Sequence, residues 1–589
     1  MKHLRISLCL IAICLLFTGC VGKTPAPSVP DGSTVTDRVP AAKVEARDIN
    51  SLPLMDKSSL YEEYDPLKPV CFYITVVGGN AADNTDNTFE QVNSYINRQG
   101  MVNVEKIKTG IIFQVGDETG PLPGEVGYNV LGSNATMNMR GRTSTGYPQK
   151  SYRIDLVDTA GMWRGQRAIA INKHPGDSTR LRNMLFFRLL QDVPGITSLR
   201  TQFVHVYVKD LTAPAVQDAF VDYGLFTQVE LPNGRYLRNH GLSQNGNLYK
   251  ANLCEMFRYE DKLRLATDPA YDPALFNQIL EPKTTEDHSK LLDMLDAIND
   301  YNIPIEQVAG KYFDLDNLTS YLAFNILMAN PDSNAQNYLL YSPVNSDKWY
   351  YLCWDGDGAL SYYEDTLLEN LWTESEWTKG VSDYWGVVLF NRLLRLRSFR
   401  EALNEKIDLL RERITAERIA GLIKEYRTVV DQFTSRMPDT VNMRIPADQL
   451  ELIYANTPFD TDKAYENYLA SLEKPMPFYL GAIQVQDGYL DLQWDASYDF
   501  AGELIYYDVQ IARDWSFEEN TVIFSSPHQL GLSAKAVMPE PGIYYWRAVA
   551  SNESGKRQVA FDQVTTANGA HGGMRRFEVK AEGTVVNLQ

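Results

Sequence analysis

The hydrophobic period changes twice along this chain, and no single sheet or helix bundle accommodates all three regimes. From Val70 to Leu231 short β-type runs dominate: VCFYITVVGG, MNMRGR, KSYRIDL, RAIAIN, FVHVYVKD and YGLFTQVEL, punctuated by Gly, Asn, Asp and Pro. One clear helical pattern interrupts them, DSTRLRNMLFFRLLQDV. It carries Leu181, Leu185 and Leu189 on one stripe, with Asp177 or Ser178 as N-cap candidate. A mostly helical stretch follows, including TEDHSKLLDMLDAINDY, DLDNLTSYLAFNILMAN, VVLFNRLLRLRSFREALNEKIDLLRERI and AERIAGLIKEYRTVVDQF. Among these sits a hairpin pattern, YLLYSPVNSDKWYYLCWD. Past KPMPFYLG the period returns to two: Leu490, Leu492 and Trp494 share one face, and Tyr507, Val509 and Ile511 share the next. That pattern, with the strand YYWRAVA, predicts a β-sandwich. At 589 residues the chain exceeds one compact core, so it is read as an α+β protein of several domains.

The N-terminus, MKHLRISLCLIAICLLFTGC, has a basic start at Lys2 and Arg5 and an apolar stretch from Ile6 to Phe17, too short to span a membrane. It reads as a signal peptide. The small residues ahead of Cys20 resemble a bacterial lipoprotein cleavage site, with Phe17 where Leu or Val is usual; Cys20 would then be lipidated and tie the chain to a membrane. The following residues, to about 58, are rich in Pro, Ser, Thr and Ala and read as a flexible tether. The expected location is therefore extracytoplasmic and lipid-anchored. Cys71, Cys254 and Cys353 are too scattered for a disulfide framework or a zinc site and are expected as small buried side chains. A net charge of −19 argues against nucleic acid as partner. The histidines show no ligand spacing for a zinc hydrolase, and no G-x-S-x-G elbow is present.

The chemistry concentrates in NPDSNAQNYLLY, with Asp332 and Asn337, and in WDGDG, with Asp355 and Asp357. Two readings fit these residues: a calcium-type loop, or the metal-and-phosphate end of a kinase. The first lacks the third oxygen ligand and distal Glu of an EF-hand. In the second, phosphoryl transfer needs a carboxylate near the acceptor hydroxyl, oxygen ligands for a divalent metal and a cation on the phosphates. Carboxylates and an amide suit Mg or Mn. The ordinary protein-kinase motifs are missing: Pro331 precedes the Asp, and there is no G-x-G-x-x-G loop and no D-F-G.

What the segments resemble is the spore-coat CotH kinase family. The matching stretches, in family order, are MRGRTSTGYPQKSYRIDL, DSTRLRNMLFFRLL, VHVYVKDL with DYGLFTQVE, GNLYKA, NPDSNAQNYLLY and WYYLCWDGDGAL. The resemblance implies a two-lobed protein-kinase-like core, strand-rich then helical, and transfer of the ATP γ-phosphoryl group to hydroxyls of secreted or cell-surface proteins. It makes Asp332 the catalytic base and gives Asn337, Asp355 and Asp357 to the metal. Lys150, with Arg140 and Arg142 framing its turn, would contact the phosphates; Gln149 stands where a second Lys is frequent. Glu230 would orient the nucleotide or another charged side chain, and Arg182 would reach into the cleft. The expected divisions are 1–19 signal peptide, 20–58 tether, 60–477 CotH kinase-like domain and 478–589 a sandwich that resembles a fibronectin type III module. Two other functions stay open on the sequence: a catalytically silent surface adhesion or scaffold protein, and a carbohydrate-active enzyme.

Overall fold

A computed structural model describes residues 54–96, 106–141, 143–213, 218–368, 376–567 and 569–588. The signal segment, Cys20 and most of the tether, as well as Arg142, lie outside the described residues. Among the described residues no helix is long and apolar enough to cross a membrane.

Among the described residues the first regime forms eight strands: β1 (Val70–Val76), β2 (Lys108–Asp117), β3 (Gly120–Pro121), β4 (Ala135–Arg140), β5 (Ser151–Leu156), β6 (Ala168–Asn172), β7 (Thr201–Asp210) and β8 (Val221–Val229). Their order is β1-β7-β8-β6-β5-β4-β2-β3, and β1 also pairs with β2, so the sheet closes on itself with β3 appended. The β1–β7 pair is parallel. The period-two alternation places Phe72, Ile74, Ile111, Phe113, Ile154, Val204 and Val206 inside the ring as one core. Closure leaves no long edge to pair with another chain.

Between β6 and β7 comes the helix Arg182–Leu190, eight of whose nine residues are buried. It starts later than its sequence pattern, because Asp177 accepts from the backbone of Thr179 at 2.8 Å and of Arg182 at 2.9 Å. These bonds fold residues 177–181 into a turn ahead of the helix. The helix joins a second, larger core with the helical region rather than the ring's interior.

That region is built on a second sheet of β9 (Asn247–Ala251), β10 (Leu280–Pro282), β11 (Tyr338–Ser342) and β12 (Tyr350–Cys353), ordered β10-β9-β11-β12. The helix Leu315–Leu327, capped by Asp314, lies against β12, and the helix Arg397–Arg413 packs on it. The long run VVLFNRLLRLRSFREALNEKIDLLRERI is two helices rather than one, Val388–Leu394 and Arg397–Arg413, broken at Arg395 and Leu396. Leu54 is buried in this core, and Asp56 accepts from His240 Nδ1 at 2.6 Å and from the Ser198 backbone at 3.1 Å. Leu54 and Asp56, read from sequence as tether, are therefore held against the fold.

The third regime forms antiparallel strands in two main sheets around Leu490, Leu492, Trp494, Val509 and Trp546. One holds Gln484–Gln486, Tyr489–Gln493 and Ser533–Val537; the other is centred on Ile505–Ala512 and Gly542–Asn552. It meets the helical region through Trp385, stacked on Tyr498 at 5.5 Å between centroids.

Candidate active site

The loop 330–337 between the helix Leu315–Leu327 and β11 is pinned at both ends by buried hydrogen bonds. Asn330 donates to Asn325 Oδ1 at 3.1 Å, Tyr321 donates to the Ser333 carbonyl at 2.6 Å, and Ser333 and Tyr384 share a bond of 2.7 Å between hydroxyls. Asn334 donates to Asp383 Oδ1 at 2.9 Å. The loop thus places Asp332 at the surface while neighbouring groups crowd its carboxyl, with Gln336 donating to it at 3.2 Å.

Asn337 and Asp355 sit just beyond the paired ends of β11 and β12, where Trp354 N–H donates to the Asn337 carbonyl at 3.2 Å. Both adopt left-handed backbone, with φ of 55° and 59°. This conformation is uncommon outside Gly but tolerated best by Asn and Asp. Gly356 between the two aspartates is required by packing: a Cβ there would stand 2.2 Å from the Phe186 ring. Its N–H points to Asn183 Oδ1 at 3.4 Å.

Electrostatics tie the cluster together. Burial, then the neighbouring Asp357 charge, pushes the Asp355 carboxyl up to about 7, against the pull of Arg140, His174 and Lys250. Burial opposes ionisation of Asp357 too, but the His174 hydrogen bond at 3.2 Å and the His174 and Arg140 charges hold it below the usual carboxylate range. Asp332 is raised by desolvation first and by Asp357 second. Three carboxyl groups that resist shared ionisation are a site that a divalent cation relieves. The donor atoms here, carboxylate oxygens with no thiolate, fit Mg or Mn.

Two cations face the aspartates. Arg140, at the end of β4, donates to Asn172 and lies 5.8 Å from the Trp354 ring. Lys250, on β9, lies 6.0 Å from the same ring. Neither Lys250 nor His174 was assigned a role from the sequence. The quoted motif GNLYKA held the first; His174, in left-handed backbone after β6, is oriented by Asn183 at 3.3 Å and carried no spacing signal.

Lys150, Arg182 and Glu230 have other contacts. Lys150 donates to the Thr145 carbonyl at 2.6 Å, closing the turn that follows Arg140, and burial alone lowers its pKa. Arg182 is buried between Asp177 at 3.4 Å and Glu364 at 2.5 Å and donates to the Leu360 carbonyl, so it does not line the aspartate cluster. Glu230 is buried against Arg200 at 2.6 Å and His240 at 3.0 Å. Of the two roles expected for Glu230, orienting another charged side chain is the one these contacts perform. Where burial opposes its charge, His240 and Arg200 outweigh it and hold Glu230 far below the carboxylate range.

A cavity of about 530 Å³ opens between β5, β6 and the segment after β8, lined by Arg153, Arg167, Asn233, Arg235, Arg238 and Lys283 among others. It is not over the aspartates. Glu281, which feels Lys283, Lys250 and Arg153 together, links its rim to the Lys250 side of the cluster.

No curated protein matches the chain. The family described as CotH kinase protein matches residues 137–466, from β4 to the helix Asp460–Leu472, which is more than half of the chain and encloses the whole aspartate cluster with Arg140, His174 and Lys250. The protein accordingly belongs to the CotH kinase family.

Proposed function

We propose that the protein is an extracytoplasmic kinase that transfers the γ-phosphoryl group of ATP to a hydroxyl of a secreted or cell-surface protein. The observation that carries this reading is the electrostatic coupling of Asp332 and Asp355 to Asp357, with Arg140 and Lys250 pulling on Asp355. Asp332, at the surface on a pinned loop, accepts the proton of the acceptor hydroxyl and orients it. Asn337, Asp355 and Asp357 would hold Mg or Mn, which bound there supplies positive charge to the phosphates. His174, with Nε2 engaged by Asn183, keeps its Nδ1 side on Asp357 and fixes that carboxylate's direction. Arg140 and Lys250 offer fixed charge to the phosphoryl oxygens, and the turn closed by Lys150 belongs to the hairpin that carries Arg140. The strand-rich and helical halves act as the two lobes of a kinase-like core. Cys20 would carry the lipid, the residues after it the tether, and the C-terminal fibronectin-like sandwich would serve as a spacer.

The test incubates the purified protein with γ-labelled ATP, Mg or Mn, and extracytoplasmic extract. Label should appear on the protein or a partner and fall about 10²–10⁴-fold in Asp332→Asn, with circular dichroism unchanged. Equal labelling by wild type and Asp332→Asn, or none by either in the presence of metal, overturns the reading.

A further inference from the structure

Away from the aspartate cluster, three different ligand types meet at the seam where the first sheet closes. Cys71 on β1 and His205 on β7 are register partners across the parallel pair. Glu118, in the turn between β2 and β3, reaches both: its Oε1 lies 3.4 Å from Cys71 Sγ and 2.9 Å from His205 Nδ1. The three atoms all fall within 4.8 Å of one another. Tetrahedral zinc, with bonds of about 2.0–2.3 Å, sets neighbouring ligand atoms about 3.3–3.6 Å apart. The Cys71–Glu118 separation already falls in that range, and the Glu118–His205 pair needs only a slight spreading.

An independent observation concerns the far side of the imidazole. His205 Nε2 lies 2.8 Å from Asp222 Oδ1, and Asp222 also accepts from the Gly224 backbone at 2.6 Å. A carboxylate held on the second nitrogen is how metal-ligating histidines are commonly oriented. The other oxygen of Glu118 accepts from the Tyr207 hydroxyl at 2.6 Å, and the Phe433 ring packs edge-on against His205 at 4.8 Å. Two of the ligands are buried and Glu118 closes the open side.

We propose that Cys71, Glu118 and His205 bind one zinc ion, with water as the fourth ligand, pinning β1, β7 and the β2–β3 turn together. Sulfur and imidazole nitrogen favour zinc over the Mg or Mn suited to the aspartates. The ion displaces the thiol proton of Cys71 and any proton on His205 Nδ1, which pass to solvent, while Nε2–H stays on Asp222, leaving a thiolate, a neutral imidazole and a carboxylate around the metal. Along the chain the cysteines stand alone, which argued against a zinc site. The partners of Cys71 come instead from β7 and a hairpin.

The test titrates the chelator-stripped full chain with Co²⁺, then with Zn²⁺. One equivalent of Co²⁺ should give a thiolate-to-cobalt charge-transfer band that Zn²⁺ abolishes, a signal the all-oxygen aspartate cluster does not give. Cys71→Ser should lose the band, and Asp222→Asn should weaken zinc binding about 10- to 100-fold. Absence of the band in folded wild type overturns the proposal whether or not Cys71→Ser folds. A band that persists in Cys71→Ser, and so comes from another cysteine, overturns it as well.

Discussion

Replacing Glu230 by Gln separates a structural carboxylate from a nucleotide-binding one. Glu230 Oε1 and Oε2 accept from Arg200 Nη2 at 2.6 Å, Arg200 Nε at 3.0 Å and His240 Nε2 at 3.0 Å, with no solvent access. Gln keeps the shape and loses the charge, stranding two buried cations; breaking such a pair costs about 3–5 kcal/mol. That is a large part of a domain's net stability, about 5–15 kcal/mol, so the variant should fold but unfold at clearly lower urea. The pH dependence carries a second signature. Glu230 and Asp56 outweigh burial and raise His240 from 6.5 to about 9. A group raised in the folded state contributes fully below its unfolded pKa and is lost as pH climbs through its folded one. Wild-type stability should therefore decline between pH 6.5 and 9. Each pH unit of that window is worth about 1.36 kcal/mol, so the decline comes to about 3 kcal/mol. In Glu230→Gln that decline should shrink, because His240 has lost its main partner. Urea unfolding followed by tryptophan fluorescence at pH values below and above this window measures both. Unchanged stability combined with a raised KM for ATP would refute the argument and return Glu230 to the nucleotide.

Other outcomes follow from the aspartate cluster. With Asp355 raised to about 7, Mg or Mn must displace a proton below that pH, so affinity measured by calorimetry should strengthen as pH rises through that value and then level off; a flat profile counts against Asp355 as ligand. Gly356→Ala forces a Cβ onto Phe186 and should cost about 1–3 kcal/mol while weakening metal binding, read by thermal unfolding with and without metal. Lys250→Ala should depress labelling more than Lys150→Ala, since Lys250 faces Asp355 whereas Lys150 bonds a turn carbonyl; the reverse ranking in a labelling assay would restore Lys150 as the phosphate contact.

Much of the site was legible because it is local. Asp332, Asn337, Asp355 and Asp357 belong to one loop and hairpin, so their spacing survives folding, and the left-handed backbone at Asn337 and Asp355 suits the residue types found there. The charges outside that hairpin were less legible. Arg182 and Glu230 look alike in sequence to any cation or anion of a cleft, but Glu364 and His240 are what they meet.

By itself the sequence determined the three regimes, the order of strands and helices, and the placement of four oxygen-bearing side chains around one hairpin. Its alternation also marked the inward faces of the strands holding Leu490 and Tyr507. Only the tertiary structure decided that β1 closes the first sheet against β2 and β7, and that Arg140, His174 and Lys250 face the aspartates. It also decided that Cys71 meets His205. The reason is physical: a hydrophobic period specifies that a face is buried, whereas the element that covers it is selected by long-range pairing and packing, which leaves no periodic trace in the chain.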